Sequence, residues 1–391
     1  MSKTTLSSME PMLPSPLTGE LQDLALELTD QAARLAGTLH TDVARAVGNL
    51  VRSMNCYYSN LIEGHDTHPR DIDRALKEDY STEPRKRDLQ LEARAHIRLQ
   101  QLIDSSGTEE NIVSAPYILW LHKEFHEHLP DDLLWVENPD TGEKVNVTPG
   151  KFRDRDVIVG RLIPIETTLI GRFLQRFEDA YRIDRLGRME RLIGAAASHH
   201  RLLWIHPFLD GNGRVTRLLS HAYLKQIGLG SSLWSVARGL ARNVEAYKSA
   251  LSAADSPRQG DLDGRGNLSE RGLTNFCLFF LRTCIDQVNY MESLIRPAEL
   301  LNRMEVYIQE EINAKRLPQG AFPLLREAVL AGSFERGKAK ELTGYKDRQA
   351  RIVLKTLLDK ELLTSTTERG RVSIGFPQPI VDRLFPGLYP T

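Results

Sequence analysis

The sequence predicts a mainly α-helical protein with a small β-hairpin region and a separate C-terminal module. Leu and Ala recur at helical spacing over most of the chain after Pro16. Residues 135–165 interrupt this pattern with turn-forming Asn, Pro, Asp and Gly around short β-branched runs. After Leu317-Pro318, three short helical segments lead into a strand–turn–strand. These observations predict the fold class. The sequence contains no internal repeat, which would indicate a repeat architecture instead.

The composition is that of an ordinary globular protein. The 391 residues are 41% hydrophobic and 26% charged, and 51 Lys and Arg against 52 Asp and Glu give a formal net charge of −1. This balance excludes a broadly disordered chain and a surface built throughout for nucleic acid. The three cysteines lack metal-type spacing, which argues against a disulfide scaffold or a zinc ribbon and favours a reducing compartment.

The first residues carry no targeting or membrane signal. Residues 1–18 are rich in Ser, Thr and Pro and lack the apolar segment of a secretory signal, so we expect a flexible leader. No apolar run approaches the ~20 residues of a membrane span, and we expect no membrane association. A cytoplasmic location is the default expectation.

The first half of the chain is predicted to be helical on either side of the β-rich interruption. One helix ends at Gly64, because glycine readily adopts the left-handed conformation found just after helix ends. Further helices are expected at 71–104 and 115–129. Within the interruption, Val157-Ile158-Val159 is the best strand candidate, and turn signals at 138–142 and 149–150 precede it.

The domain boundaries are placed where the composition changes. The predicted organisation is a flexible leader (1–18), an N-terminal helical region (19–110), a core (111–253), a Gly-, Asp- and Ser-rich loop (254–270), one or two long helices (271–316) and the C-terminal module (317–391).

One segment carries most of the residues suited to chemistry, RLLWIHPFLDGNGRVTRLLSHAYL at 201–224. Apolar residues on both sides follow single helix faces, Pro207 excludes a continuous helix, and Gly211 and Gly213 permit positive φ. A Gly-rich turn that opens into a helix directs several backbone N–H groups at one point, where the helix dipole also favours an anion. We therefore predict two helices joined by an anion-binding loop.

Side chains around this loop complete a predicted phosphate site. Arg214 and Arg217 lie three positions apart on the second helix, and arginine suits bidentate contact with phosphate oxygens. Asp210 offers the kind of carboxylate that holds Mg²⁺ beside phosphates. His206, on the opposite shoulder, can accept a proton near neutrality. This set predicts transfer of a phosphorus group from a nucleotide to a hydroxyl, through positioning and charge stabilisation.

Other Gly- or His-rich patterns in the chain do not form such a set. Residues 263–267 are also Gly-rich, but no His-Pro-Phe precedes them and no Arg-bearing apolar helix follows, so we interpret them as a solvent loop. His122 and His126 lie one helical turn apart, which permits a metal pair, but no third ligand is evident. We interpret these histidines as packed or solvated.

The run from His206 to Arg217, HPFLDGNGRVTR, resembles the HPFxDGNGRxxR signature of the Fic (filamentation-induced-by-cAMP) domain family without a substitution. The resemblance implies transfer of AMP from ATP to a Ser, Thr or Tyr hydroxyl of a protein target, with release of pyrophosphate and with self-modification expected. The roles it implies are proton acceptor for His206, Mg²⁺ ligand for Asp210, phosphate cradle for Gly211, Asn212 and Gly213, α/β-phosphate contact for Arg214, γ-phosphate contact for Arg217, and packing for Phe208.

The resemblance extends to a second motif upstream. Ser59-Asn60-Leu61-Ile62-Glu63-Gly64 is similar to the inhibitory (S/T)xxxE(G/N) helix motif of the same family. It implies that Glu63 pairs with Arg217 and displaces the γ-phosphate, with Ser59 one turn earlier on the same face. A carboxylate in the last helical turn opposes the helix dipole, so an arginine partner would stabilise it. The alternative is a helix that ends at Gly64 with an exposed glutamate.

Two further regions receive roles from the resemblance. Pro149-Gly150-Lys151-Phe152-Arg153 followed by Val157-Ile158-Val159 resembles the family's flap hairpin, whose edge aligns a target segment by main-chain pairing. The alternative is a structural hairpin that covers the helical core. Asn243 and Tyr247 occupy the region where family members line the nucleotide base pocket, although an aromatic residue at helical spacing also suits a core.

The C-terminal module is similar to a winged helix-turn-helix. Its predicted elements are helices at 321–332, 337–343 and 346–359 and a two-stranded wing that ends near Pro377. Residues 336–371 hold ten Lys and Arg against five Asp and Glu, a modest electrostatic basis for DNA binding. Protein contact or a homodimer is favoured over DNA as the use of this module.

The sequence therefore predicts an ATP- and Mg²⁺-dependent protein adenylyltransferase with a Fic-type helical core, autoinhibited by Glu63. Two alternatives stay open. One is a DNA-binding regulator in which the core only senses nucleotide. The other is an enzyme that mainly removes AMP from modified proteins, with Glu63 positioning water.

Overall fold

Helices make up most of the protein, as the spacing of Leu and Ala predicts. The structure is a computed structural model that describes residues 4–107, 111–137, 142–159 and 162–390. The chain divides into two compact units, one of Met1–Asp30 with Asn55–Gln287 and one of Gln31–Met54 with Val288–Thr391. Every candidate site residue belongs to the first unit.

The elements up to residue 254 build most of the first unit, except that Gln31–Met54, in α1 and α2, belong to the second. Helix starts follow local signals: Pro69, Pro84 and Pro116 lie in first turns, where a missing N–H removes no helical hydrogen bond. The elements are α1 (Gly19–Thr38), α2 (Thr41–Ile62), α3 (Pro69–Leu76), α4 (Pro84–Ser105), α5 (Ala115–His126), β1 (Trp135–Glu137), β2 (Lys144–Asn146), α6 (Ile170–Tyr181), α7 (Arg188–Ile205), α8 (Asn212–Gln226), α9 (Val236–Arg242) and α10 (Val244–Ala254).

Helices α7 and α8 form the centre of this unit. Both are buried around most of their circumference, which is the pattern of a core helix rather than a surface helix. Gly194 allows close approach, because a Cβ there would lie 3.0 Å from the Tyr223 hydroxyl, which itself donates to the Tyr181 carbonyl. The loop between α7 and α8 is therefore held on two rigid elements.

The β-rich interruption forms a hairpin, but at different residues from the best candidate. Strands β1 and β2 pair in antiparallel register, with Val136 opposite Val145. The predicted strand at 157–159 is wrong except for one isolated bridge between Val159 and Leu162, since the described neighbours offer Val157 and Ile158 no strand partner. The predicted turn at 138–141 and Gly160 lie outside the described residues.

The described part of the leader packs on the core, so the expectation of a flexible segment is wrong for residues 4–18. Met9 and Met12 are buried. Buried Arg201 requires acceptors, and the Pro11 carbonyl provides one at 2.7 Å from Nη2. The Tyr181 hydroxyl likewise donates to the Met12 carbonyl at 2.6 Å. The sequence pattern did not indicate this packing, because part of it depends on backbone carbonyls that accept from distant side chains.

The Gly-rich stretch at 263–267 also differs from the predicted solvent loop. A Cβ on Gly266 would lie 2.1 Å from the Glu10 carbonyl oxygen, so the two backbones are in direct contact. The Leu268 N–H donates to the same carbonyl at 2.9 Å. The Asp263 carboxylate accepts from the Gln259 and Arg271 N–H groups and is buried. This loop is folded against the leader.

The second unit contains the C-terminal module. Its strands form an antiparallel sheet in the order β3-β5-β4, with Phe334 opposite Val372 and Leu363 opposite Ile374. The break between the predicted helices at 337–343 and 346–359 is present, since Gly344 has φ +69°. Strand β3 and helix α16 were not predicted. The elements are α11 (Glu270–Ile295, partly in the first unit), α12 (Pro297–Asn313), α13 (Ala321–Leu330), β3 (Ser333–Phe334), α14 (Ala339–Thr343), α15 (Asp347–Asp359), β4 (Leu363–Thr364), β5 (Val372–Ile374) and α16 (Gln378–Leu384).

Across the ranges that the structure describes, no helix combines the length and the apolar character that a membrane crossing requires.

Candidate active site

The loop between α7 and α8 reverses the chain through two left-handed residues. His206 ends α7 with φ +50°, and Gly211 precedes α8 with φ +77°. Asn212 closes the loop on itself, because its Oδ1 accepts from the Phe208 N–H at 3.0 Å and its Nδ2 donates to the Phe208 carbonyl at 2.8 Å. The Asn212 side chain thus holds the loop, and the first backbone N–H groups of α8 lie beside it.

Buried aromatic rings pack against one another beneath the backbone of the loop and hold it in place. Phe208 is fully buried, as its predicted packing role requires, and its ring stacks on His122 with centroids 4.0 Å apart. His122 stacks in turn on His126 at 4.1 Å and accepts from the Gly150 N–H at 2.9 Å. Burial lowers the pKa of His122 to about 3 and that of His126 to about 4, so both rings are neutral. These histidines are packed, as expected.

Arg217 is held by the end of α2. Its Nη2 lies 2.5 Å from the Glu63 Oε1, and its Nε donates to the Ser59 Oγ at 2.9 Å. Ser59 and Arg217 are buried, and Gly64, with φ +83°, ends the helix as predicted. Burial acts to raise the pKa of Glu63, but the charge and hydrogen bond of Arg217 outweigh it, so the pKa is lowered and Glu63 is ionised.

The Glu63 carboxylate also lies at the first turn of α8. A Cβ on Gly213 would be 2.2 Å from the Glu63 Oε1, so the missing side chain makes room for this carboxylate. An anion at a helix N-terminus is favoured by the free N–H groups and by the dipole. The glutamate therefore lies at the helix start where the sequence predicts that an anion binds.

Arg214 is buried and lies between two carboxylates. Its Nη2 donates to the Asp210 Oδ2 at 2.7 Å, and its Nη1 donates to the Glu92 Oε1 at 3.1 Å. Asp210 keeps 45% of its side-chain surface exposed. Burial acts to raise the pKa of Asp210, but Arg214 and the Gly211 N–H outweigh it and the pKa is lowered.

His206 is kept neutral by its surroundings. Burial, together with the nearby charge of Arg153, lowers the pKa of His206 to about 4. Arg153 also anchors the loop, since its Nε donates to the His206 carbonyl at 2.8 Å and its N–H donates to the Pro207 carbonyl at 2.9 Å. A neutral imidazole at the rim of the loop can accept a proton.

The segment predicted as a flap presents apolar side chains to solvent. Ile158 and Ile163 are each 77% exposed, Val159 is 38% exposed and Val157 is half-buried. Arg153 joins this segment to the loop below it, because its guanidinium also donates to the Arg155 and Ile165 carbonyls. The segment is thus tied to the His206 backbone.

Asn243 and Tyr247 lie in different surroundings. Asn243 is exposed at the start of α10, and its Nδ2 donates to the Gly239 carbonyl at 3.3 Å. Tyr247 is buried, with its hydroxyl 2.7 Å from the His199 Nε2. The hydroxyl also interacts with the Arg217 side chain. Tyr247 therefore packs behind Arg217 in the core.

Sequence reasoning assigned no role to several residues that build this site. Glu92, His65, Arg153 and His122 each contact the loop or the residues paired with it. The sequence contains weak signals for two of them. Glu92 lies among apolar positions of a helix, and Arg153 lies within the flap motif. Their partners are distant in sequence, so spacing could not reveal the contacts.

Comparisons with known proteins agree with the geometry of this loop. Residues 112–224 match the family model described as Fic/DOC family. Protein adenylyltransferase fic-1 of Caenorhabditis briggsae is 33% identical over 108 residues, which are 28% of this chain and 21% of that protein. Protein adenylyltransferase Fic of Drosophila erecta is 34% identical over 97 residues, 25% of this chain and 20% of that protein. The chain thus spans about a fifth of the length of these curated relatives.

Two solved structures share the fold. A Fic family protein from Desulfovibrio desulfuricans G20 aligns over 94% of this chain and 99% of its own, with a TM-score of 0.55 and 16% identity. Residues 134–508 of Fic-1 from C. elegans align over 71% of this chain and 73% of that chain, with a TM-score of 0.55 and 15% identity. At these identities the likeness concerns the fold.

Proposed function

We propose that this protein is an adenylyltransferase that moves AMP from ATP to a hydroxyl of a protein target, itself included. The observation that carries the proposal is the α7–α8 loop. It brings a neutral imidazole, the free N–H groups of α8 and two buried arginines to one site. The named adenylyltransferase relatives, similar across the segment that contains this loop, support the same activity.

The proposed reaction needs one proton transfer and one displacement. The target hydroxyl oxygen bonds to the α-phosphorus, the bond from that phosphorus to the β-phosphate oxygen breaks, and diphosphate leaves. His206 takes the hydroxyl proton, and the approach of anionic phosphates raises its pKa from about 4 towards neutrality. Arg214 and Arg217 stabilise the charge on the phosphates, and the N–H groups of Gly211, Asn212 and Gly213 cradle them.

The residues present fit a bound Mg²⁺. Mg²⁺ is usually held by one or two carboxylates together with phosphate oxygens and waters. Asp210 is ionised and half-exposed at the rim of the loop, where it would hold the ion. Bound there, the metal would neutralise phosphate charge. Because the Asp210 carboxylate already pairs with Arg214, nucleotide binding would replace that contact.

We further propose that Glu63 restrains this activity. Its carboxylate lies where the first turn of α8 favours an anion, and it pairs with Arg217, the residue expected to meet the γ-phosphate. A bound triphosphate would have to share or displace this contact. The basal activity of the unchanged protein is therefore expected to be low.

The test is transfer of label from [α-³²P]ATP to the protein itself and to proteins of a cell lysate. Glu63→Gly is expected to increase labelling at least about tenfold, because Arg217 loses its internal partner. Adding His206→Ala to that variant should abolish the label. The matched control Glu83→Gln removes an exposed glutamate that pairs with Lys86, and its labelling should equal that of the unchanged protein. Equal labelling in Glu63→Gly and the unchanged protein would refute the restraint.

Removal of AMP is a second candidate for the same loop. The ionised Glu63 carboxylate at the α8 N-terminus could orient a water and accept its proton. In that case AMP release from a modified protein is fast in the unchanged protein and slow in Glu63→Gly. If adenylyl transfer is the main activity, the labelling assay instead shows less transferred label in the unchanged protein than in Glu63→Gly.

We propose target and partner surfaces at two further places. The exposed edge at Val157, Ile158 and Val159 would align a target segment by main-chain pairing. The C-terminal module would be a winged helix, which its order of helices and its three-stranded sheet support. We favour contact with protein, including a second copy of the chain, over DNA for this module. Gel-shift binding of DNA that survives His206→Ala, without label transfer, would favour the nucleotide-sensing regulator instead.

A further inference from the structure

A buried carboxylate on α4 connects two parts of the candidate site. Glu92 is 7% exposed and lies between the Arg214 guanidinium and the His65 imidazole. Its Oε1 accepts from the Arg214 Nη1 at 3.1 Å, and its Oε2 accepts from the His65 Nδ1 at 2.7 Å. Glu92 lies outside both sequence motifs, and His65 follows directly after the second.

The two contacts of Arg214 differ in how firmly they are held. Glu92 projects from a long helix and is buried, whereas Asp210 lies on the loop and is half-exposed. The Arg214 guanidinium also lies 4.9 Å from the Phe125 ring centroid, which limits its movement. If the Asp210 carboxylate rotated to hold a metal ion, Glu92 would still hold the Arg214 Nη1. The Arg214 Nη2 would then be available to a phosphate.

His65 attaches the end of α2 to the same carboxylate. Its backbone N–H donates to the Asn60 carbonyl at 2.9 Å, so His65 is part of the turn that carries Glu63. The end of α2 is therefore attached to the site by Ser59 and Glu63, which contact Arg217, and by His65, which contacts Glu92. Both arginines of α8 are connected to it, Arg217 directly and Arg214 through Glu92.

The charges around this contact favour an ion pair. Burial acts to raise the pKa of Glu92, but His65 and Arg214 outweigh it and the pKa is lowered. The hydrogen bond that His65 donates to Glu92 raises the pKa of His65. Burial and the charge of Arg214 oppose that rise, and Asp210 adds to it. The His65–Glu92 contact is thus strongest when the imidazole is protonated.

We propose that Glu92 is a positioning residue for Arg214 and that, through His65, it is a second tether of the segment that carries Glu63. The proposal rests on the proposed function of this loop in binding a nucleotide. It deepens that function by adding a link between the restraining segment and the arginine expected at the α- and β-phosphates.

The contact itself can be tested without any catalysis. The titration of the His65 imidazole is followed by NMR in the unchanged protein, in Glu92→Gln and in the control Glu83→Gln. We expect the pKa of His65 to fall by about half a pH unit or more in Glu92→Gln and to stay in place in Glu83→Gln. The same titration in all three proteins would overturn the proposal.

The positioning role is tested by nucleotide affinity in the Glu63→Gly protein. Adding Glu92→Gln is expected to weaken MgATP binding, measured by calorimetry, by about fivefold or more, because Arg214 loses its anchor. Adding Glu83→Gln should leave the affinity unchanged. Where AMP transfer is measurable, KM for ATP should rise more than kcat falls. Unchanged affinity in the Glu92→Gln protein would overturn the role. Absence of AMP transfer in the Glu63→Gly protein would refute only the proposed function, since calorimetry needs no transfer.

The tether is tested in a variant that keeps Glu92. His65 is half-exposed, so His65→Gln is compatible with the fold. In the His65→Gln protein, the backbone amide hydrogens of residues 61–66 are expected to exchange at least about threefold faster than in the unchanged protein at pH 6. At pH 8 the difference should be smaller. Equal exchange in both proteins at pH 6 would overturn the tether.

Discussion

Single side chains decide what the anion site can hold. A Cβ on Gly213 at the start of α8 would meet the Glu63 carboxylate in its present position, so a larger residue there would displace this carboxylate. Arg217 has its hydrogen-bonding capacity taken up largely by Glu63 and Ser59. In the proposed function, a phosphate that binds here would replace one set of charged contacts with another, so the proposed restraint would depend on the α2 segment.

Asn212 illustrates how one residue can hold a loop. Asn212→Ala would leave the buried N–H and carbonyl of Phe208 without partners, and the free energy of unfolding should fall by about 1–3 kcal/mol. Asn243→Ala, which removes an exposed amide with one longer hydrogen bond, should change it by less than about 0.5 kcal/mol. Urea unfolding measures both. A loss of the same size in the two variants would contradict this role of Asn212.

At the scale of elements, the α7–α8 hairpin and α5 form one support for the site. The ring of His122 on α5 packs against Phe208 of the loop, and His126 lies directly under Gly211. The α4 helix adds Glu92, and the end of α2 adds Glu63 and Ser59. Elements far apart in the chain therefore contribute one or two residues each to a site built on a single helix start.

The contact between α5 and the loop predicts the effect of a substitution at Gly211. Gly211→Ala would place a Cβ 2.6 Å from the His126 Cε1 at a residue with φ +77°. Gly228→Ala has a similar φ of +84° with nothing within 4 Å, so it isolates the backbone strain of about 1–2 kcal/mol. Gly211→Ala should therefore be clearly the less stable of the two in thermal unfolding and should lose AMP transfer. Equal stability would mean that His126 moves freely.

At the scale of the whole molecule, the two compact units separate the site from the C-terminal module. All residues assigned to chemistry, restraint and positioning lie in the unit of Met1–Asp30 and Asn55–Gln287. The leader belongs to that unit and provides the acceptors that buried Arg201 needs. An uncompensated buried guanidinium is strongly destabilising, so the N-terminal residues are part of the folded unit.

Integration of the leader predicts a measurable loss of stability when it is altered. Met9 is fully buried, and Met9→Ala should lower the free energy of unfolding by about 2–5 kcal/mol. Leu26→Ala on α1 is the control, since Leu26 is 55% exposed and should change stability by less than about 0.5 kcal/mol. Urea unfolding followed by circular dichroism compares them. Two small and equal effects would show that the leader is not part of the cooperative unit.

Local signals in the chain were enough to predict most of the helices and the loop at 206–211, whereas the chemistry of its residues stays a prediction. Pro207, the glycines and the 3.6-residue period act over a few positions, and such short-range effects can be read directly. The end of α2 at Gly64 belongs to the same class. Short-range signals also account for the boundaries of α13 and α15, which lie within a few residues of those predicted.

The other features of the fold and of the candidate site depend on contacts between segments that lie far apart in the sequence. Glu92 reaches Arg214 across 122 positions, and Pro11 reaches Arg201 across 190, so no spacing rule could indicate either pair. Val157-Ile158-Val159 has strand-forming residues, yet a strand also requires a partner, and folding did not provide one among the described neighbours. Burial and pairing are properties of the packed molecule, and they decide which charged groups meet.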